Sequence, residues 1–321
     1  TSTGKTATTD GAGFYRFDSL MPGNYGVSEA QPTGYFDGLD AAGTAGGSAQ
    51  NPGDLINGLK LVGGQNGLNY NFGELLPGCI SGYVYVDANN NGVFDESEAP
   101  ITGVTLTLLD ASGNPTGETR TTDDTGFYKF CGIAPGTYGV IETQPGGYVD
   151  GLDTPGSTGG VAHNPGDRID TITIPSGTKS TNNNFGELLP GSLSGYVYVD
   201  ANDNGVFDQG ESPIAGVTIR LLDATGKATG ETRVTDESGF YSFTGLAPGS
   251  YGVAEAQPEG YFDGKDSVGT TGGTAHNPGD LVDGIGIQSG DNSKYNHFGQ
   301  LLPASIRGQV FADLTGNHEL D

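Results

Sequence analysis

The 321-residue chain has no tryptophan, one methionine, two cysteines and only 13 basic residues against 39 acidic ones. Each shortage excludes something. A net charge of −26 argues against a nucleic-acid backbone or an anionic membrane surface as partner and makes cations the natural ones. No apolar run reaches the roughly 18 residues that would span a bilayer, so no membrane insertion is expected within this segment. The absence of tryptophan leaves no concentrated aromatic platform for sugars. Two cysteines cannot form a disulfide framework. Cys79 and Cys131 stand where equivalent positions elsewhere hold Ser192, Ser305, Asp18 and Thr244, and they either pair with each other or remain two free thiols. A nucleophile elbow, a His-x-x-x-His pair and a phosphate loop are all missing. His163 and His276 align with Gln50, which a catalytic ligand would not tolerate, so the chain reads as a non-enzyme.

What is abundant is glycine, 58 residues, and with it a strict repeat. Gly13-Phe14-Tyr15 returns as Gly126-Phe127-Tyr128 and Gly239-Phe240-Tyr241, and Asn51-Pro52-Gly53-Asp54 returns twice more, always 113 residues on. Such a period marks a tandem array. Its register gives a partial copy at residues 1–75 lacking its opening strands, complete copies at 76–188 and 189–301, and at 302–321 an opening strand with a truncated loop. The sequence therefore reads as a window on a longer protein. An alternative is that 303–321 of one chain completes 1–75 of the next, but the joined unit would lack the counterpart of the well-patterned strand 103–110.

Apolar residues alternate with polar ones in short runs such as Val104-Thr105-Leu106-Thr107-Leu108, with no 3.6-residue stripe, so the fold class is all-β. In the second copy the pattern predicts strands near 81–87, 103–109, 117–122, 126–131, 136–143, 170–174 and 182–187. Seven short strands separated by turn residues make a β-sandwich. Tyr128 and Phe130 recur in every copy while Lys129 between them becomes Arg16 or Ser242, which puts the aromatic pair on the buried face. The stretch from about 147 to 168 has few apolar anchors and is expected to be a compact surface loop without strands. Copies join through Phe185-Gly186-Glu187-Leu188-Leu189-Pro190-Gly191, a junction too short and too apolar to be a flexible linker.

One loop carries recognisable chemistry. In Asp87-Ala88-Asn89-Asn90-Asn91-Gly92-Val93-Phe94-Asp95-Glu96-Ser97-Glu98, oxygen-bearing residues stand at positions 1, 3, 5, 9 and 12, with Gly92 at position 6 where the turn is sharp. This is the ligand spacing of a twelve-residue calcium loop, with the Val93 carbonyl at position 7 and Glu98 able to offer both oxygens. The third copy repeats it with Asp200, Asn202, Asn204, Val206, Asp208 and Glu211 around Gly205. The last copy follows it through Asp313, Thr315, Asn317 and Asp321, with His318 in place of the glycine. Because the flanks are strands, this is an EF-like loop on a β-scaffold. A second acidic set repeats as Asp37, Asp40 and Asp54, then Asp150, Asp153 and Asp167, then Asp263, Asp266 and Asp280. It is either a second Ca²⁺ site or a group of solvated turn aspartates. Glu142, with Glu29 and Glu255, shares the inward parity of Tyr138 and Val140 and needs a partner if buried.

Gly82-Tyr83-Val84-Tyr85-Val86-Asp87 running into that loop, followed by Gly126-Phe127-Tyr128-x-Phe130-x-Gly132 and Pro135-Gly136-x-Tyr138-x-Val140-x-Glu142, resembles the B-repeats of serine-aspartate surface adhesins of Gram-positive bacteria. More widely, it is similar to the collagen-adhesin B-type modules. The resemblance implies immunoglobulin- or prealbumin-like Greek-key sandwiches, Ca²⁺ in the loops, and a calcium-rigidified stalk, spacer or fibre on the cell surface. Its partners would be neighbouring repeats end to end, extending to self-assembly into fibres. The alternative is an adhesin that binds glycan or protein through its Gly/Asp-rich loops. Relatives with Lys–Asn isopeptide bonds carry a lysine in the first strand. Tyr83–Val86 and Tyr196–Val199 have none, so no isopeptide is expected.

Overall fold

The computed structural model describes residues 3–312 and residue 316, and every regular element among them is a β-strand. In the second repeat, two five-stranded sheets face each other. One is antiparallel, in the order Val161–His163, Arg168–Ile174, Gly136–Glu142, Thr105–Leu109, Pro115–Thr121. The other is built on the first strand, Gly78–Val86, which takes Phe127–Ile133 as antiparallel neighbour and Lys179–Ser180 and Phe185–Leu188 as parallel ones, while Val149–Asp150 closes the edge. The third repeat copies both sheets, from Gly191–Val199 to Phe298–Leu301. Residues 23–75 retain smaller sheets, of three strands and of two.

Alternation explains the core. Ile80, Val84 and Val86 point from the first strand toward Leu106, Leu108, Val140, Ile169 and Ile172 of the opposite sheet, and Tyr128 and Phe130 are buried beside them as their invariance required. Tyr128 spends its hydroxyl on the Asn183 carbonyl at 2.7 Å, and Tyr241 does the same to Asn296. That carbonyl passes so close to the first strand that a Cβ on Gly82 would sit 1.7 Å from it, so glycine is obligatory there. The outward face of the first strand is covered too. Phe94, from the calcium-type loop, stacks on Tyr85 at 4.7 Å and on Tyr83 at 5.3 Å, which is why Tyr85 is fully buried.

Two expectations need revision or completion. The stretch expected to be a strandless surface loop contains Val149–Asp150 and Val161–His163, each extending a sheet edge. Runs of two or three residues have no period to read, and main-chain pairing rather than apolar anchoring places them. Cys79 and Cys131 lie directly opposite each other on adjacent strands and form a disulfide.

The junction splits its leucine pair. Leu188 is buried and pairs with Val149. Leu189 donates its N–H to Ser289 Oγ at 2.9 Å, and its carbonyl accepts the Gly290 N–H, so it caps a turn of the following repeat. Leu76 does the same with Ser176 and Gly177.

Candidate metal centres

The first centre is the loop at residues 87–98. Asp87, fully buried at the end of the first strand, accepts the Gly92 N–H at 2.7 Å and the Asn91 N–H at 3.0 Å. Asn89 and Asn91 both donate side-chain N–H groups to the same Asp95 oxygen, each at 3.1 Å. The two oxygens of Glu98 accept from the Ala88 and Asp95 N–H groups, so this one carboxylate ties together both ends of the loop. Gly92 has φ 73°, and a Cβ there would meet Thr154 at 2.8 Å. Positions 1, 3, 5, 9 and 12 are thus linked by direct bonds. The third repeat reproduces the set through Asp200, Asn202, Asn204, Asp208 and Glu211. Val93 and Val206 turn their side chains to solvent. Asp313, Thr315, Asn317 and Asp321 lie outside the described residues.

The second centre is a pocket of carboxylates. Asp150, Asp153 and Asp167 are joined by Glu142 and by Glu187, a residue of the junction motif. Ligand oxygens of Asp150, Asp167 and Glu187 all lie within 4.8 Å of one another, as do those of Glu29, Asp54 and Glu74 in the first repeat. The Asn-Pro-Gly-Asp turn builds the pocket. Asn164 clamps the Asp153 backbone with bonds of 2.8 and 3.0 Å, the Gly166 N–H holds Asp150 at 2.6 Å, and the Asp167 carbonyl accepts the Glu142 N–H. The same clamp joins Asn51 to Asp40 and Asn277 to Asp266.

None of the ion pairs among the described residues involves these carboxylates. Both oxygens of Glu142 are buried without a hydrogen-bond partner, as is one oxygen each of Asp150, Asp153, Asp167 and Glu187. Burial first, then the neighbouring Glu187 and Asp153, pushes Glu142 up to about 10. Burial with Asp150 and Asp167 alongside takes Asp153 to about 9, and burial takes Glu187 to about 8 despite the N–H that Gln144 donates to it. In the third repeat, Glu255 rises to about 9 and Asp266 to about 8, burial again leading. Five acids that would repel one another when ionised are folded into one site, a repulsion that a bound cation would offset.

The two centres touch. Thr154, next to Asp153, donates its hydroxyl to the Gly92 carbonyl at 3.1 Å. The Tyr85 phenol is buried without a partner, and burial followed by Asp87, Glu98 and Asp153 pushes its ionisation far up, so it feels both sets of acids. The sequence singled out the loop residues, which the structure links by hydrogen bonds, and three of the pocket aspartates. Sequence reasoning treated Glu187 as part of a linker and gave the Asn-Pro-Gly-Asp motif no role, although both repeat and could have been paired by that signal.

Comparison with known proteins places this architecture. Residues 78–186 and 191–283, more than half of the chain, match the SdrD B-like domain. Serine-aspartate repeat-containing protein D of Staphylococcus aureus strain Newman is 36% identical over 259 residues, covering 80% of this chain and 19% of that protein. Serine-aspartate repeat-containing protein F of Staphylococcus epidermidis is 33% identical over 272 residues, 82% of this chain and 15% of that protein. The chain therefore spans under a fifth of the length of these relatives. Among solved structures, the Bacillus anthracis TIE protein aligns with 92% of this chain and 45% of its own at TM-score 0.38 and 18% identity. GBS52, the minor pilin of Streptococcus agalactiae, aligns with 72% of this chain and 99% of its own at TM-score 0.32 and 13% identity. The sandwich repeat is thus an extracellular, cell-surface structural module of the Gram-positive type. The chain belongs to the SdrD B-like domain family.

Proposed function

We propose that these repeats form a stalk or spacer segment of a bacterial surface protein that Ca²⁺ stiffens, without enzymatic activity. The observation that carries this reading is the set of buried, partnerless carboxylate oxygens, which recurs at equivalent positions in all three repeats. The donors in both centres are oxygens only, the set that suits a hard divalent cation and not zinc or copper. Asp87, Asn89, Asn91, Asp95 and Glu98, with the Val93 carbonyl, would hold one ion. Glu142, Asp150, Asp153, Asp167 and Glu187 would hold another. A bound cation supplies positive charge where these side chains repel one another, and the chain's own residues do the rest. Glu98 closes the loop, Phe94 presses it on the first strand, and Thr154 ties it to the pocket.

The pocket lies on the strand that exits the repeat, two residues before the Leu189 cap on the next repeat, so ordering it also orders the junction. Neighbouring repeats end to end are the partners of this reading, which extends to self-assembly into fibres. Binding to the folded state alone contributes about 2.7 kcal/mol at about a hundred times Kd.

Thermal unfolding of the whole chain in calcium and in chelator tests this. Calcium should raise the melting temperature by several degrees, and the combined Asp87→Ala and Asp200→Ala substitutions should remove a large part of the gain. Identical melts in the two conditions would dismiss calcium from the function.

A further inference from the structure

The three acid pockets differ at one corner. Glu74 in the first repeat and Glu187 in the second become Gln300 in the third. In the second repeat, Gln144 donates to Glu187 and the chain of hydrogen bonds stops there, leaving both oxygens of Glu142 without a donor. In the third, Gln257 donates to Gln300 Oε1, and Gln300 Nε2 donates in turn to Glu255 Oε2 at 3.0 Å. The amide thus passes a hydrogen bond on to the acid that stands bare in its neighbour. Glu255 keeps one unpartnered oxygen where Glu142 has two. Among the described residues, clusters of three carboxylate oxygens within 4.8 Å of one another occur in the first and second repeats. In the third, Asp263 and Asp280 remain, but the third corner is an amide already bonded on both sides.

We propose that the pocket cation site is graded along the chain: strong in the second repeat, and weak in the third because Gln300 replaces a carboxylate and satisfies Glu255 itself. This rests on reading the pocket as a cation site. Oxygen sites tune calcium affinity through the number of charged ligands, and a four-carboxylate pocket with an internal N–H donor gains less from a cation than one with five. As calcium falls, the third repeat empties and loosens first, so the array softens at a defined place instead of along its whole length.

Amide hydrogen exchange by mass spectrometry on the intact chain, titrated with calcium chloride, reads each repeat separately. Protection of residues 168–188 should appear at a calcium concentration lower by about tenfold or more than protection of residues 281–301. Glu187→Gln should move the 168–188 midpoint up toward that of the third repeat, and Gln300→Glu should move the 281–301 midpoint down. Protection transmitted from the loops would not follow these exchanges. Equal midpoints in the unaltered chain, or exchanges that leave the midpoints in place, overturn the grading while leaving the pocket a cation site. If neither segment responds to calcium, the pocket is no cation site and the grading falls with it.

Discussion

Glu142 shows the chemistry at the scale of a single residue. In the folded chain it holds its proton to about pH 10, with Asp153 to about 9 and Glu187 to about 8, whereas in the unfolded chain all three ionise near the ordinary carboxylate values of about 4. Folding without metal therefore takes up protons. The stability these groups contribute is complete below the unfolded values and is lost as pH rises through the folded ones. His297, buried and held down to about 4, acts in the opposite sense below about pH 6.5, so the clean window is pH 7 to 9. The exposed turn acids Asp110, Asp123, Asp223 and Asp236 are lowered by hydrogen bonds and are fully ionised before that window opens. In chelator, the melting temperature should fall steadily from pH 7 to pH 9. Saturating calcium should flatten that slope, because it binds the ionised carboxylates and displaces their protons. A chelator slope that is flat or rising would mean that these acids are ionised in the metal-free fold.

At the scale of elements, the disulfide distinguishes the second repeat. It joins the first strand, Gly78–Val86, to Phe127–Ile133 and closes 52 residues of chain separation. Force entering at the junction reaches Cys79 almost at once, so those residues should stay folded back under load. Stretching single molecules in oxidising buffer should show the second repeat extending less than the third, and adding a reductant should release about 170 Å more contour, the reach of the shielded segment at about 3.3 Å per residue. Equal extensions before and after reduction would contradict the bridge.

Elements also show what the sequence could reveal. Five-residue and longer strands such as Thr105–Leu109 and Arg168–Ile174 were legible because alternation over that length has a readable period. The pairs and triplets at Val149–Asp150 and Val161–His163 were not, since tertiary pairing alone defines them. The candidate loop was legible because its oxygen-bearing residues are contiguous in sequence. The pocket was only half legible, because Glu142 and Glu187 reach it from strands 45 residues apart in two different sheets. The disulfide could not be chosen from sequence either, as it depends on the register of two strands.

For the whole molecule, the distinguishing feature is that in the first two repeats the pocket lies against the exit strand and that strand leads, through Leu76-Pro77 or Leu189-Pro190, into a hydrogen-bonded cap on the next repeat. Stacked repeats of this kind gain stability from their interfaces as well as from their own cores. The central claim is that calcium sets the stiffness of this array. Small-angle X-ray scattering of the whole chain, with calcium and then with chelator, tests it most directly. The expected result is an extended, rod-like profile with a larger maximum dimension in calcium, and a shorter, more heterogeneous profile in chelator that returns to the first when calcium is restored. Superimposable curves in the two conditions would contradict the claim and leave a sandwich array whose stiffness comes from its strands and junctions alone.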